Sequence, residues 1–280
     1  MLHIVMDGAG DMPSEWRDLY NIDVVATPVH FDGKTYHPGV NLDFEGFYRL
    51  VDESGVIPKT SQPSPYEFTQ RFRQIAKFGD TILAIIISSK LSGTYKSAIA
   101  AAKELAGELN IITFDTQAGS AAVGMMCREA RLMEKAGKSV QDILARLDQI
   151  RQNLTIVLTL DNLEYARMSG RVKALQASLV SLLNVKPIAE LRDGVIVMAD
   201  KVRTRSRALQ RIVEMVYQRV GDQLVNAAVV HARDPETGKT MMEMVKKRLN
   251  CKDLIMTDLS LPVSANLGPG TVGVVAYPAK

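Results

Sequence analysis

Four hydroxyl side chains follow directly after one strongly apolar segment of this 280-residue sequence. The apolar segment reads TILAIII and covers residues 81–87. The hydroxyl residues after it, which cluster around Gly93, are Ser88, Ser89, Ser92 and Thr94. Hydroxyls and free backbone N–H groups can donate several hydrogen bonds to one negatively charged oxygen. The pattern therefore predicts a loop that binds an oxyanion.

A second hydroxyl-rich loop, KTSQPSP at 59–65, lies upstream and contains Thr60, Ser61 and Ser64. Taken alone, it indicates either a rigid turn with a helix N-cap or part of a binding site. Both loops are expected near the carboxyl edge of one sheet, where open α/β folds bind their ligands. Their combination favours the binding interpretation.

Two stretches in the second half offer other groups that could hold an anion. In MSGRVKALQASLVSLLNVKPI (168–188), Arg171 is either part of an ordinary loop before a core helix or a fixed cation for a carboxylate or phosphate. In NLGPGTVG (266–273), the glycines make either a tight turn or a backbone whose N–H groups can approach an anion. The residue order of a P-loop is absent from this turn.

A short basic run, KVRTRSR at 201–207, is a candidate interaction surface. Its cations are Lys201, Arg203, Arg205 and Arg207. Such a run is either a solvated face at a helix start or a docking patch for an acidic or phosphate-bearing partner. One short run does not indicate nucleic acid.

The overall composition excludes several classes of protein. Hydrophobic residues make up 46% and charged residues 23%, as in soluble globular proteins. The balance of 34 Lys and Arg against 31 Asp and Glu leaves only +3, which predicts no nucleic-acid partner. Cys127 and Cys251 are too few for a disulfide framework or a zinc site, and no apolar run approaches the roughly 18 residues of a membrane span. We therefore expect a cytoplasmic protein that holds no metal.

Motifs of the common catalytic sites are missing from the sequence. There is no G-x-S-x-G, no H-E-x-x-H and no C-x-x-C, and the four histidines are scattered. No pair of acids stands out as a general acid and base, so the hydroxyls lack an evident group to activate them. The sequence therefore favours binding over catalysis and predicts no cofactor besides the bound ligand.

Apolar strands that alternate with helical patterns predict how the polar loops are positioned. In the first half, the predicted strands are 2–6, 24–31, 81–87 and 110–114. One predicted helix covers Tyr66 to Phe78, and another begins after a capping box of Ser139 and Asp142 and ends near Gln152. We expect βαβ units with a mainly parallel sheet, and a domain boundary near residue 150.

The second half predicts a different kind of sheet. Two strands joined by a turn at Asp193-Gly194 indicate an antiparallel ribbon. The other predicted elements are strand 154–160, helix 204–220, strand 224–231, a helix around 241–249, strand 253–259 and the final strand TVGVVAYP. The predicted fold class is α/β, with a mainly parallel α/β/α domain over 1–150 and an α/β domain with a mixed sheet over 151–280. Ligands commonly bind where two such domains meet.

The order of these motifs along the chain resembles the DegV family. The resemblance covers nearly the whole chain and includes KTSQPSP, ISSKLSGTYKSA, FDTQAGSAAVGM, SGRV with NVKPI, KVRTRSRAL and LGPGTVGV. It implies a two-domain DegV-type fold that binds one long-chain fatty acid between its domains and is not itself an enzyme. It further implies a fatty-acid kinase subunit as partner, which converts the presented acid to acyl phosphate for phospholipid synthesis, and transient membrane contact.

The resemblance also assigns roles to individual residues. The predicted carboxylate site consists of Thr60, Ser61, Ser92, Gly93, Arg171 and Asn266. Thr60 and Ser92 would supply the hydroxyls that hold the carboxylate, and Arg171 would lie close to them. Arg203, with Arg205 in the same basic run, would contact the kinase.

Three positions depart from the family pattern. Asn266 stands where the family usually has histidine, and asparagine can donate a hydrogen bond but carries no titratable proton. Ser169 replaces the first glycine of a Gly-Gly-Arg turn, and Gly8 replaces a serine between Asp7 and Asp11. Carboxylate binding is compatible with Asn266, whereas the presentation to a kinase is put in question by it.

Two other functions stay open on the sequence alone. One is an enzyme that acts on phosphorylated small molecules, a phosphatase or phosphotransferase, with phosphate held by Ser92, Arg171 and the Gly268–Gly270 turn. The other is a regulatory module in which the bound lipid controls a partner through the Lys201–Arg207 run. A turnover assay separates the enzyme from simple fatty-acid binding, and a pull-down with and without added fatty acid separates the regulatory module.

Overall fold

The chain divides into two compact units in this computed structural model, which describes residues 1–173 and 185–280. Unit 1 consists of Met1–Arg151 together with Ser260–Pro262. Unit 2 consists of Gln152–Leu259 and Val263–Lys280. The sequence gives no sign that a three-residue segment from near the carboxyl end belongs to the first unit.

Unit 1 contains most of the predicted βαβ pattern. Its elements in chain order are β1 (Leu2–Asp7), α1 (Trp16–Leu19), β2 (Ile22–Val25), β3 (Val29–Phe31), β4 (Lys34–Tyr36), α2 (Phe44–Ser54), β5 (Lys59–Thr60), α3 (Pro65–Ile75), β6 (Thr81–Ile86), α4 (Thr94–Glu104), β7 (Asn110–Asp115), α5 (Ala121–Lys135) and α6 (Val140–Asn153). Four of the strands form a parallel sheet in the order β2-β1-β6-β7. All six residues of β1 are buried, as are five of the six in β6, which fits strands covered on both faces. The predicted parallel sheet is confirmed.

The predicted strand over 24–31 is wrong as one continuous element. β2 ends at Val25 in the parallel sheet, and β3 begins at Val29 in a separate antiparallel sheet with the order β4-β3-β5. Pro28 lies between them and has no N–H to donate to a strand ladder. The apolar run therefore serves two sheets instead of one.

Two capping boxes define helix starts in unit 1. Ser64 Oγ accepts from the N–H of Glu67 at 3.2 Å while Glu67 Oε2 accepts from the N–H of Ser64 at 2.6 Å. The predicted box at Ser139 is confirmed, because its Oγ accepts from the N–H of Asp142 at 3.1 Å. Helix α3 is shorter than predicted: it ends at Ile75, and Phe78 beyond it is 91% exposed.

Unit 2 is built on one mixed sheet. Its elements are β8 (Thr155–Thr159), α7 (Leu163–Ser169), β9 (Val172–Lys173), β10 (Lys186–Arg192), β11 (Val195–Val202), α8 (Arg205–Val220), β12 (Val225–His231), α9 (Pro235–Arg248), β13 (Cys251–Asp258), α10 (Leu261–Leu267) and β14 (Val272–Pro278). The strands follow the order β13-β12-β14-β8-β10-β11-β9. β10 and β11 form the predicted antiparallel ribbon, and Asp193 and Gly194 both take positive φ angles in its turn. The core beneath the sheet includes buried residues of α8 and α9.

One predicted helix of the second half begins earlier than expected, and another lies largely outside the described residues. Helix α9 begins at Pro235, earlier than the sequence indicated, because Asp234 caps it through the N–H of Thr237 at 3.2 Å. The core helix that was one interpretation of 168–188 falls largely on residues outside the described part of the chain. Within the described ranges, no helix is long and apolar enough to cross a membrane.

Candidate functional site

The carboxyl edge of the parallel sheet in unit 1 brings several polar segments together. Because β1, β6 and β7 are adjacent and parallel, their last residues lie at the same edge. β1 ends at Asp7, β6 leads into the Ser88–Thr94 loop, and β7 ends at Asp115. Asp115 Oδ1 accepts hydrogen bonds from the N–H groups of Ser89 at 3.2 Å and Gln117 at 3.0 Å. The start of the loop is thus tied to the neighbouring strand.

Ser88 shapes the Ser88–Thr94 loop from inside the protein. Its carbonyl accepts from the N–H groups of Leu91 at 3.0 Å and Ser92 at 3.1 Å, and its hydroxyl accepts from the N–H of Lys90 at 3.2 Å. Ser88 is fully buried and Thr94 is 1% exposed. The four predicted hydroxyls therefore lie in different environments: Ser88 and Thr94 are core residues, whereas Ser89 and Ser92 are partly exposed.

Ser92 lies at the beginning of helix α4. Its Oγ is 2.8 Å from Thr94 Oγ1 and accepts from the N–H of Thr94 at 3.3 Å. The first N–H groups of a helix carry partial positive charge and attract anions. The position of Ser92 fits the predicted contact with an oxyanion, and that contact stays a prediction.

The Thr60–Ser64 loop contacts the Ser88–Thr94 loop through Gln62. A Cβ atom added to Gly93 would overlap Oε1 of Gln62, so the amide of Gln62 lies directly against the glycine. Glycine at this position lets the two predicted hydroxyl loops approach each other. The structure thus brings Ser92 and Gly93 together with the loop that begins at Thr60.

Thr60 and Ser61 differ in their surroundings. Thr60 pairs with Val29, which is fully buried, whereas Ser61 Oγ is 2.9 Å from Nε2 of His30. Successive side chains of a strand point to opposite faces, which places Thr60 on the face of Val29 and Ser61 on the face of His30. Thr60 is half-buried and Ser61 is exposed. A role of Ser61 as a direct ligand is untested and stays a prediction.

Asp7 is a buried carboxyl group at this edge. Its Oδ1 accepts from the N–H of Ile87 at 2.8 Å and its Oδ2 from the N–H of Ala9 at 3.1 Å. Burial raises the pKa of Asp7 to about 6, and these backbone hydrogen bonds oppose part of that rise. Asp7 thus holds the residue that immediately precedes the Ser88–Thr94 loop.

Arg171 follows the carboxyl end of helix α7 in unit 2. Its Nη1 donates to the carbonyl of Ser169, and its N–H donates to Ser169 Oγ at 3.3 Å. Ser169 Oγ also donates to the carbonyl of Ala166 at 3.0 Å. The serine that replaces the usual glycine is therefore accommodated as the last residue of the helix, and it helps to fix the backbone of the turn.

Asn266 lies near the end of α10, before the Gly268–Gly270 turn, and is half-buried. The N–H of Gly268 donates to the carbonyl of Ser264 and the N–H of Gly270 to that of Ala232, both at 2.8 Å. These two N–H groups are therefore engaged within unit 2. They are not available to bind an anion, as one interpretation of this turn requires.

The two predicted partner residues have different environments. Arg203 is exposed. The Nη2 of Arg205 donates to Asp234 Oδ2 at 2.9 Å and to the carbonyl of Gly270. Arg205 is thus engaged within unit 2, and its contact with a partner stays a prediction.

The sequence alone did not single out three residues at this site. Gln62 lies in the KTSQPSP motif, in which the hydroxyls and not the amide indicate an anion site. Asp7 lies in MDGAGD, where it matches the family pattern without indicating a role. His30 gave no signal, because its contact with Ser61 joins residues 31 positions apart. Among the described residues, no group of three or more His, Cys, Asp or Glu side chains could hold a metal ion.

Comparison with protein families gives a match over nearly the full length. A family model described as "Uncharacterised protein, DegV family" matches residues 1–279. The chain belongs to the DegV family. Membership of this family, which the motifs predicted, is thereby confirmed.

Relatives within the DegV family cover this chain almost end to end. A DegV domain-containing protein of Listeria innocua is 33% identical over 273 residues, which are 97% of this chain and 96% of that protein. A solved structure described as fatty acid binding of a DegV family protein from Thermus thermophilus has a TM-score of 0.90, 29% identity and 99% coverage of both chains. A stearic acid-binding protein from Eubacterium ventriosum has a TM-score of 0.91 and 25% identity, and the match covers 99% of this chain and 98% of that protein. The predicted two-domain DegV-type α/β fold is confirmed.

Proposed function

We propose that this chain binds a long-chain fatty acid and that Thr60 and Ser92 hold its carboxylate. The observation that carries the proposal is the contact of Gln62 with Gly93, which joins the two hydroxyl loops at the N-cap of α4. Solved DegV relatives described as fatty-acid-binding proteins support it. The proposal includes Arg171 and Asn266 as further polar groups and places the acyl chain between the two domains.

The binding free energy of a fatty acid has separate contributions from its tail and its head group. Each methylene moved from water to an apolar environment contributes about 0.8 kcal/mol, so about 14 of them contribute roughly 11 kcal/mol before the costs of association. A hydrogen bond from one hydroxyl to a carboxylate contributes about 1.5–3 kcal/mol. The tail therefore supplies most of the affinity, and the hydroxyls orient the head.

Extraction of the purified protein tests the proposal directly. Protein made in a bacterial host should release a fatty acid into organic solvent, and native mass spectrometry should show one acyl ligand per chain. Failure to detect any acyl species, together with no uptake of added oleate, would refute fatty-acid binding.

Single hydroxyl deletions test the proposed carboxylate contacts. Ser92→Ala and Thr60→Ala should each weaken oleate binding by about tenfold, since one charge-assisted hydrogen bond is lost while the tail contacts remain. Ser139→Ala is a matched control, because Ser139 caps α6 and has no contact with either hydroxyl loop among its hydrogen bonds. Unchanged affinity in both site variants would remove Thr60 and Ser92 from the proposal.

We further propose that the bound acid is presented to a fatty-acid kinase, which forms acyl phosphate for phospholipid synthesis. Arg203 supports this step, because it is exposed and lies in the basic run predicted to meet a partner. A kinase assay with the loaded protein should show less acyl phosphate for Arg203→Ala than for Lys239→Ala, a control at a surface lysine paired with Glu236. Equal yields would count against Arg203 as the partner contact.

The alternative of a phosphate-binding enzyme has less support. Its proposed phosphate donors in the Gly268–Gly270 turn already bond to carbonyls within unit 2. A cytoplasmic site of action, transient membrane contact and the absence of any cofactor besides the acyl ligand belong to the proposal for fatty-acid binding. Measurable turnover of phosphorylated small molecules would favour the enzyme instead.

A further inference from the structure

Asp7 connects two distant segments of unit 1 at the carboxyl edge of the parallel sheet. Its side chain is completely buried at the end of β1. One carboxylate oxygen accepts from the N–H of Ile87, 80 positions away, and the other accepts from the N–H of Ala9. Each oxygen thus has a backbone donor of its own, which is the arrangement that a fully ionised carboxylate satisfies best.

A short chain of contacts connects the hydrogen bond between Asp7 and Ile87 with Ser92. Ile87 is followed by Ser88, whose N–H donates to the carbonyl of Ala118 at 2.7 Å. The carbonyl of Ser88 in turn accepts from the N–H of Ser92. A displacement of Ile87 is therefore expected to move the backbone that carries the Ser92 hydroxyl.

Protonation changes what Asp7 can accept. A neutral carboxyl group turns one oxygen into a donor, which then faces an N–H that needs an acceptor. Burial raises the pKa of Asp7 to about 6, within reach of ordinary experiments. On helix α5, the neighbouring Cys127 has a thiol pKa raised by burial and by the charge of Asp7, so it stays neutral, and Arg131 acts on the same thiol with the opposite sign.

Other acids at this edge have backbone partners of their own. Asp11 Oδ1 accepts from the N–H of Ser260 at 2.8 Å, and Asp115 Oδ1 accepts from Ser89 and Gln117. Among the described contacts of Ile87, the side-chain acceptor of its N–H is Asp7. Asp115 thus holds Ser89 within the loop, and Asp7 holds Ile87 immediately before it.

We propose that Asp7 is a positioning residue whose ionised carboxylate fixes the Ser88–Thr94 loop for carboxylate binding, so that fatty-acid affinity depends on the protonation of Asp7. The inference rests on the proposed function and adds a control by pH to it. Asp7 acts through Ile87 and Ser88 and needs no contact with the ligand.

Oleate titrations of the full-length protein from about pH 5 to about pH 8 test this role. Asp7→Asn should bind about tenfold more weakly than wild type at the upper end, since one acceptor becomes an amide donor, and this difference should vanish at the lower end. Asp80→Asn is the matched control: Asp80 bonds to the Met1 amino group and His3 at the opposite edge of the same sheet. It should follow the wild-type profile.

The outcomes separate this role from the proposed function. If wild type binds no oleate at any pH, the proposed function fails and the role of Asp7 fails with it. If wild type binds and Asp7→Asn shows the same pH profile, only the role of Asp7 is overturned. Affinity that rises on acidification in wild type but not in Asp7→Asn would also overturn it, because the sign would be reversed.

NMR of the wild-type protein provides a test that does not depend on the folding of a variant. The amide resonances of Ala9 and Ile87 should titrate together with a midpoint near the pKa of Asp7, about 6. By linkage, a ligand that prefers ionised Asp7 must lower that midpoint when it binds. Separate titrations of the two amides, or a midpoint that rises or does not move on adding oleate, would contradict the proposal.

Discussion

The contact between Gln62 and Gly93 shows how one residue position joins two loops. The amide of Gln62 occupies the space in which any larger residue at position 93 would place its Cβ. Since the amide is the free end of a flexible side chain, a substitution would move Gln62 at low energetic cost. The expected consequence is a change in the site and not in the stability of the fold.

Gly93→Ala should therefore separate affinity from stability. We expect the free energy of unfolding to change by less than about 1 kcal/mol, because position 93 has an ordinary helical backbone. Fatty-acid affinity should fall several-fold, about 1 kcal/mol, as Gln62 moves away from the start of α4. Isothermal titration and urea denaturation measure the two quantities.

Gly107→Ala is the control for this change. No atom lies within 4 Å of a Cβ added at Gly107, so the same substitution displaces nothing there. Equal affinities for Gly93→Ala and Gly107→Ala would show that the placement of Gln62 has no bearing on binding.

The two capping boxes of unit 1 have the same chemistry and different locations. Ser64 and Glu67 start helix α3 directly after the Thr60–Ser64 loop, whereas Ser139 and Asp142 start helix α6. Each box satisfies helix N–H groups that have no partner within the helix. The first box also fixes where the loop ends, which links helix stability to the site.

Ser64→Ala and Ser139→Ala should each lower the free energy of unfolding by about 1 kcal/mol through loss of the cap. Only Ser64→Ala is expected to weaken fatty-acid binding as well, because its loop carries Thr60. Chemical denaturation and ligand titration of both variants measure these effects. A loss of affinity of the same size in Ser139→Ala would mean that helix stability, and not the position of the loop, is responsible.

The stability of the whole molecule depends on pH through carboxyl groups whose pKa values shift in opposite directions on folding. The folded state raises the pKa of Asp7 above its ordinary value of 3.8 to about 6, so folding favours the protonated form. In contrast, the Met1 amino group holds the pKa of Asp80 well below its usual range, and Ser139 lowers the pKa of Asp142. Asp80 and Asp142, whose pKa values are lowered, lose their stabilising effect as pH falls. Asp7, whose pKa is raised, loses its stabilising effect as pH rises.

Asp7→Asn should therefore change the pH dependence of unfolding in a defined direction. Below about pH 4, ionisation of Asp7 costs the wild-type fold nothing, and the cost grows to about 3 kcal/mol as pH rises past about 6. Relative to the variant, wild type should lose up to that amount between those pH values. Urea denaturation of both proteins at several pH values tests this, and a constant difference between them would contradict it.

Ligand chain length provides the other test at the scale of the molecule. If an apolar environment holds the tail, each added methylene should strengthen binding by about 0.8 kcal/mol, close to fourfold, until the available space is filled. The melting temperature in excess ligand should rise in the same order, because a ligand that binds only the folded state stabilises it. Saturated acids of about 10, 12, 14 and 16 carbons form a suitable series, and equal affinities along it would exclude a buried tail.

Much of the fold was accessible from local sequence patterns. Buried runs such as 81–87, the capping box at Ser139 and the turn at Asp193-Gly194 depend on neighbouring residues, and the structure confirms them. The single strand over 24–31 was wrong because periodicity does not reveal which sheet a strand joins. The extension of α3 to Phe78 was wrong because an apolar residue past a helix end can remain exposed.

The sequence by itself determined the α/β class, the main strands and helices, and membership of the DegV family, because these follow from residue type, spacing and motif order. Tertiary structure decided which hydroxyls are buried, that Gln62 lies against Gly93, and that Asp7 holds Ile87. These contacts join residues 31 or more positions apart, and the last spans 80. Hydrogen bonds and packing at such separations depend on which strands lie side by side, and local patterns carry no record of that.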